Sequence, residues 1–179
     1  MFFRKSGRNN GKRKILVAVD LENMIANTEL PPGAGFTLHQ ALLGLMQKLA
    51  DLGDIVAKLV FTPPHRIPSF EKFFSEHGFF IVACPKVQTA EGPKDITDQV
   101  IMDFCQQVVA EIPKITHFCL CSGDADFIPI IQILRKKGVK IIIASGNLRA
   151  LSGDLIRLAE PNGSGGRRVF ILSPSSAST

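Results

Sequence analysis

Lys14-Ile15-Leu16-Val17-Ala18-Val19-Asp20 is a β-branched, apolar run that closes on a carboxylate. Every residue between its charged ends is apolar, as in a strand covered by helices on both faces and unlike one that alternates between core and solvent. Runs 55–61, 79–84, 117–121 and 139–144 share this character. Between the first two, Leu38, Leu42, Leu45, Met46, Leu49 and Leu52 recur at helical spacing and stop at Gly53, where a C-cap glycine belongs. Further helices are predicted over 68–77, 95–111, 127–137 and 148–159. Strand and helix alternate, so the fold class is α/β. The expected architecture is a Rossmann-like three-layer sandwich around a mainly parallel sheet of five or six strands, with 169–172 as an edge strand.

The domain is expected over 14–160, between a flexible basic tail (1–13) and a Gly/Ser-rich tail (161–179) that holds the edge strand. Loops 27–36 and 85–94 follow strand ends, the edge at which such folds carry their sites. With 45% hydrophobic and 21% charged residues in a chain of 179, the composition is globular and excludes a mainly disordered or collagen-like chain. No apolar run approaches the roughly 20 residues that span a bilayer, and the expectation is a soluble, cytoplasmic protein. Cys84, Cys105, Cys119 and Cys121 sit in apolar segments and read as small hydrophobes. His117, Cys119 and Cys121 share one face of a strand, which does not wrap a tetrahedral zinc ion, so they read as core.

Charge is asymmetric. Arg4, Lys5, Arg8, Lys12, Arg13 and Lys14 carry six positive charges with no acid among them, and the remainder is near neutral, so the net +5 belongs to this arm. Such an arm suits capture of RNA or DNA; the plainer account is a solubilising tail.

The carboxylates point to chemistry. Asp20 ends the first strand, and Asp124 follows the fourth through Ser122 and Gly123. In a parallel sheet both project from the carboxyl edge. If the chain crosses over between them, their strands are neighbours at the topological switch point. Asp126 stands two residues beyond Asp124. Asp95 and Asp98 open the third helix about 60° apart, whereas Asp103 is turned about 140° from Asp98 and is the weaker member. Capping alone accounts for Asp95 and Asp126 well, but a carboxylate closing an apolar strand is costly to bury, so Asp20 and Asp124 are the stronger functional candidates. Asn23 either positions Asp20 or a metal-bound water, or caps a turn; Glu22 reads as exposed. Converging carboxylates need a cation or raised pKa values. The economical cation is Mg²⁺ or Mn²⁺, and the matching chemistry is metal-assisted phosphodiester hydrolysis.

Other classes fit less well. A receiver-like phosphoacceptor domain needs an Asp after its third strand, where Cys84-Pro85 stands, and a topoisomerase-primase metal site needs a glutamate where Asp20 stands. His39, His65 and His77 have no paired nucleophile, and Gly33 to Gly35 is too short for a phosphate loop.

The same residues resemble the NYN domain family, a branch of the PIN-like metal-dependent ribonucleases. The likeness rests on Val19-Asp20-Leu21-Glu22-Asn23, on Lys94-Asp95-Ile96-Thr97-Asp98, and on Ser122-Gly123-Asp124-Ala125-Asp126-Phe127-Ile128-Pro129 followed by Leu134-Arg135-Lys136-Lys137-Gly138. It implies a PIN-like fold, a Mg²⁺ or Mn²⁺ site, and cleavage of single-stranded RNA. Asp20, Asp98, Asp124 and Asp126 would be the catalytic metal-site acids and Lys94 a phosphate contact, with Asn23, Asp95, Asp103 and Ser122 in support. Family members carry a further acid later in the third helix at a spacing one residue different from that of Asp98 and Asp103, which leaves that corner of the site open. The arm residues Arg4, Lys5, Arg8, Lys12 and Arg13, with the 135–140 region, are expected to bring the phosphate backbone to the acidic cleft. The alternative is a catalytically inactive RNA-binding or protein-interaction module on the same fold. A homodimer is compatible with either.

Overall fold

A computed structural model describes residues 12–28, 37–90, 92–94, 96–111 and 114–172. The apolar runs become β1 (Lys14–Asp20), β2 (Asp54–Thr62), β3 (Phe80–Ala83), β6 (His117–Cys121), β7 (Lys140–Ser145) and β8 (Val169–Ile171). They form one six-stranded sheet in the order β3-β2-β1-β6-β7-β8, and every pairing is parallel. The order reverses between β1 and β6, so the expected crossover is present and these two strands flank the switch point where doubly wound sheets bind ligands.

Helices α1 (Leu21–Asn27), α2 (Leu38–Leu52) and α3 (Ile67–Glu76) cover one face, and α4 (Thr97–Glu111), α5 (Ile128–Lys136) and α6 (Gly153–Leu158) the other. Period-two alternation divides β1 between them. Ile15, Val17 and Val19 pack with Leu42, Leu49 and Phe74, while Leu16 and Ala18 pack with Ile101, Ile131 and Leu155. The side chains of Cys119 and Cys121 belong to the first of these cores. A capping box between Thr37 and Gln40 starts α2. Gly53 ends it for a reason of space: a Cβ there would stand 2.5 Å from the Arg13 carbonyl oxygen.

Several boundaries differ from expectation. Residues after Asp20 form α1 instead of a turn, and the 85–94 loop contains a hairpin of β4 (Val87–Thr89) and β5 (Gly92–Lys94), separate from the main sheet. The helix expected over 148–159 is only α6; the preceding residues form a loop. A 3₁₀ turn, Ala125–Phe127, precedes α5. The edge strand expected within the C-terminal tail is present as β8, paired with β7.

The basic segments require a correction. Arg4, Lys5 and Arg8 lie outside the described residues. Lys12 forms an ion pair with Asp54, and Arg13 donates to the Leu52 carbonyl at 3.2 Å. Both sit where β1 begins, and the 135–140 segment sits where β7 begins. In a parallel sheet all strand starts share one edge and all strand ends the other. The root of the arm and the 135–140 segment are therefore about 20 Å from the carboxyl edge, the length of a seven-residue strand, and not beside the acidic cleft. Among the described residues, no helix is long and apolar enough to cross a membrane.

Candidate metal centre

Asp20 is both the last residue of β1 and the N-cap of α1, its Oδ1 accepting from the Asn23 amide at 3.2 Å. The register sets Val19 opposite Cys121, so the chain leaving β6 passes beside the carboxylate, and the Ser122 hydroxyl donates to Asp20 Oδ2 at 3.4 Å. The Ser122 oxygen accepts in turn from the Asp124 amide at 3.3 Å. Asp124 caps the 3₁₀ turn by accepting from the Asp126 amide at 3.0 Å; the capping role expected for Asp126 thus falls to its neighbour. Asn23 spans the gap, its Oδ1 accepting from the Gly123 amide at 3.1 Å.

Asp98 stands in the first turn of α4, on the face of the sheet that also carries the 3₁₀ turn of Asp126. One carboxylate oxygen each from Asp98, Asp124 and Asp126 lie within 4.8 Å of one another. Asp20, Asp98 and Asp124 also line a common cleft of about 340 Å³ with Asn23, Asn27 and Thr97. Burial pushes the Asp20 carboxyl from 3.8 up to about 7, and the charges of Asp98 and Asp124 add to the rise, against the bonds from Asn23 and Ser122. The donor set is all oxygen and crowded with negative charge, which fits a hard divalent cation and no softer metal.

The remaining candidates are distributed unevenly. Asp95 lies outside the described residues. Asp103 is exposed and accepts from Gln99 at 2.8 Å, outside the carboxylate group, as its angle on the helix dictates. Lys94 is exposed at the end of β5, three residues before α4. Lys12 and Arg13 stay at the far edge. Glu22, expected to be exposed, lines the cleft and is held by Arg66 Nε at 2.8 Å.

Residues 146–152, after β7, escaped the sequence reading. Residues 149–152 of this loop line an adjoining cleft of about 390 Å³ that shares Asn23, Asn27 and Asp124 with the first and adds Arg149 and Ser152. A Cβ on Gly146 would stand 2.3 Å from the Asn27 carbonyl carbon, and one on Gly123 2.3 Å from the Ala150 oxygen, so both glycines permit backbone contact that no other residue allows. Asn147 locks the contact, donating to the Asn27 carbonyl at 2.7 Å and accepting from the Ala150 amide at 2.8 Å. The sequence does hold a signal: Ser145-Gly146-Asn147 repeats the pattern of Ser122-Gly123-Asp124 at the end of the adjacent strand.

Comparison with known proteins agrees with this description. The family model of the NYN domain matches residues 14–175. A crystal structure of a protein of unknown function from Vibrio parahaemolyticus superposes with a TM-score of 0.66 at 19% identity, covering 93% of this chain and 96% of that one. At that identity the likeness concerns the fold. No curated protein matches.

Proposed function

The chain belongs to the NYN domain family, and from that premise we propose that it is a divalent-metal-dependent endoribonuclease that hydrolyses phosphodiester bonds of single-stranded RNA. The observation that carries this reading is the meeting of Asp98, Asp124 and Asp126 oxygens within 4.8 Å, two of them, Asp98 and Asp124, lining one cleft with the buried Asp20 at the switch point of the sheet. Asp98, Asp124 and Asp126 would hold Mg²⁺ or Mn²⁺, with Asp20 closing the floor of the site. When bound, such an ion supplies a Lewis acid for the phosphate and an acidified water as nucleophile.

The chain's own residues do the rest. Asn23 and Ser122 fix the Asp20 carboxylate through its two oxygens, so its direction is set before any ligand arrives. Arg149, in the adjoining cleft, is placed to pair with a phosphate flanking the one that is cut, and Asn27 offers neutral polar contacts to the same strand. Lys94 stands on the hairpin that precedes the Asp98 helix and serves as an outer phosphate contact. A cleft of unneutralised carboxylates repels RNA, so substrate and metal bind cooperatively.

The test is cleavage of a labelled single strand by purified protein in Mn²⁺, in Mg²⁺ and in chelator. Internal cleavage that needs the ion and disappears in Asp124→Asn is the expected result. RNA binding without cleavage in any divalent ion would replace the proposal with a non-cutting RNA-binding domain, and cleavage of DNA alone would reassign the substrate.

A further inference from the structure

The amino edge of the sheet, opposite the acids, carries a further cleft of about 420 Å³. Arg135, Lys140 and Arg167 stand around it and are exposed, and Arg135 and Lys140 enter no ion pair among the described residues. The one acid in its lining, Glu160, is 9% exposed and ion-paired with Arg168, whose Nε stands 2.6 Å from Oε1. It subtracts nothing from the field of the other three. Burial depresses the His117 imidazole; the charge of Glu160 opposes this, and those of Arg13, Lys140 and Arg168 add to it. The chain also enters the fold here, at Lys12, from the segment that holds Arg4, Lys5 and Arg8.

We propose that this edge is a second, metal-independent binding site for the phosphodiester backbone of single-stranded RNA, with Arg135, Lys140 and Arg167 as phosphate contacts. The choice of RNA rests on the function proposed above. Sequence-independent affinity for nucleic acid comes from cations that release condensed counterions, and exposed cations lacking carboxylate partners are the ones free to do so. Guanidinium forks add bidentate geometry toward phosphate. About 20 Å of sheet separates this edge from the carboxylates, so an RNA engaged at both must be long enough to run the height of the domain. The edge captures and holds the strand, and short oligomers that reach only the acids lose this contribution.

Binding in chelator isolates the site, because the carboxyl edge without cations repels RNA. Titration of a labelled single strand by fluorescence anisotropy, across salt concentrations, compares wild type with Arg135→Gln/Lys140→Gln. Each lost phosphate contact lowers the slope of log K against log salt by about 0.7 for single strands, so the double variant should lose about 1.4 and bind several-fold more weakly, with an unchanged melting curve. Lys48→Gln/Lys72→Gln, which removes two exposed lysines on the α2 and α3 face, should keep the wild-type slope. An unchanged slope in the first variant, or an equal loss in both, overturns the site. Displacement of RNA by polyglutamate at equal charge would overturn it in favour of an acidic peptide. No cleavage is read, so binding at this edge by a protein that never cuts RNA would sink the nuclease reading and keep this one.

Discussion

The side-chain oxygen of Asn23 accepts the Gly123 amide at 3.1 Å, joining positions 100 residues apart. Asn23 also donates its own amide to Asp20. One residue thus ties the loop that presents Asp124 to the helix that Asp20 caps, and the separation of two repelling carboxylates is set by neutral bonds. A site built this way is assembled before the cation arrives, which lowers the reorganisation needed on binding. Replacing Asn23 by Ala leaves the Gly123 amide short of its acceptor, a loss of about 1–3 kcal/mol where the group stays buried. Calorimetric titration with Mn²⁺ should show weaker binding by Asn23→Ala, and thermal melting in chelator should show a lower midpoint. Wild-type Mn²⁺ affinity in the variant would mean the tether is dispensable.

Asp124→Asn separates charge from scaffold. The asparagine oxygen can still cap the Asp126 amide, since Asn and Asp are equivalent N-caps, while one negative charge leaves a crowded site. Mn²⁺-stimulated cleavage should fall to background, and the melting midpoint in chelator should equal or exceed that of wild type. A strongly destabilised variant would show that the carboxylate serves the fold.

Asp20 makes a signed prediction for pH. Burial raises its folded pKa from 3.8 to about 7, so between those values the folded state holds the proton more tightly than the unfolded one. This group's contribution to stability is complete below the lower value and is lost as pH rises to the upper. Each unit is worth about 1.4 kcal/mol. Asp20→Asn has no proton to lose, so its melting midpoint should gain on wild type between about pH 4 and pH 7 in chelator. Taking the difference between the two proteins cancels the histidines, which titrate in both. A difference that stays constant with pH would refute a raised Asp20.

His39 acts in the opposite sense. It stacks on Phe73 at 4.2 Å between ring centroids, Phe73 packs on His77 at 4.6 Å, and burial, then the His77 charge, depresses the His39 pKa below 6.5. The folded state therefore disfavours protonation, and the stability it contributes is present above about 6.5 and lost as pH falls below. His39→Gln should flatten the loss of melting temperature on acidification, measured against wild type in the same buffers. Parallel curves for the two proteins would rule out the His39 contribution.

What the sequence discloses is set by which forces leave a local trace. Buried parallel strands are apolar through their length, so β1 and β6 are legible, and the carboxylates that follow, Asp20 closing β1 and Asp124 three residues past β6, stand out against those runs. Helix α1 is only Leu21–Asn27 and buries Leu21 and Met24 alone, too few for a period to emerge. The hairpin strands β4 and β5 bury little and carry no alternation. Leu148, Leu151 and Leu155 imitate a helical stripe, but Leu148 is 62% exposed and the first two belong to the loop held on Asn27 by backbone contact. A count of charges gives the size of the basic arm and not the edge it joins. That edge follows from the direction of β1, a consequence of topology that composition does not contain.

Gly146 tests whether that loop belongs to the site. An added Cβ would meet the Asn27 carbonyl carbon at 2.3 Å and the Thr28 nitrogen at 2.5 Å, contacts that only a backbone shift relieves. Relief costs about 1–3 kcal/mol and carries Asn147 away from the Asn27 carbonyl, to which it donates at 2.7 Å, and Arg149 with it. Gly78, whose φ is 69°, provides the comparison. Alanine there forces a left-handed conformation at about 1–2 kcal/mol, at the end of α3, where only the flexible Lys58 side chain lies within 4 Å of the new Cβ. Both alanine variants should therefore melt lower by similar amounts, and only Gly146→Ala should lose most of its turnover of single-stranded RNA at a temperature where both are folded. Equal turnover in the two would detach the loop, and Arg149 with it, from the chemistry.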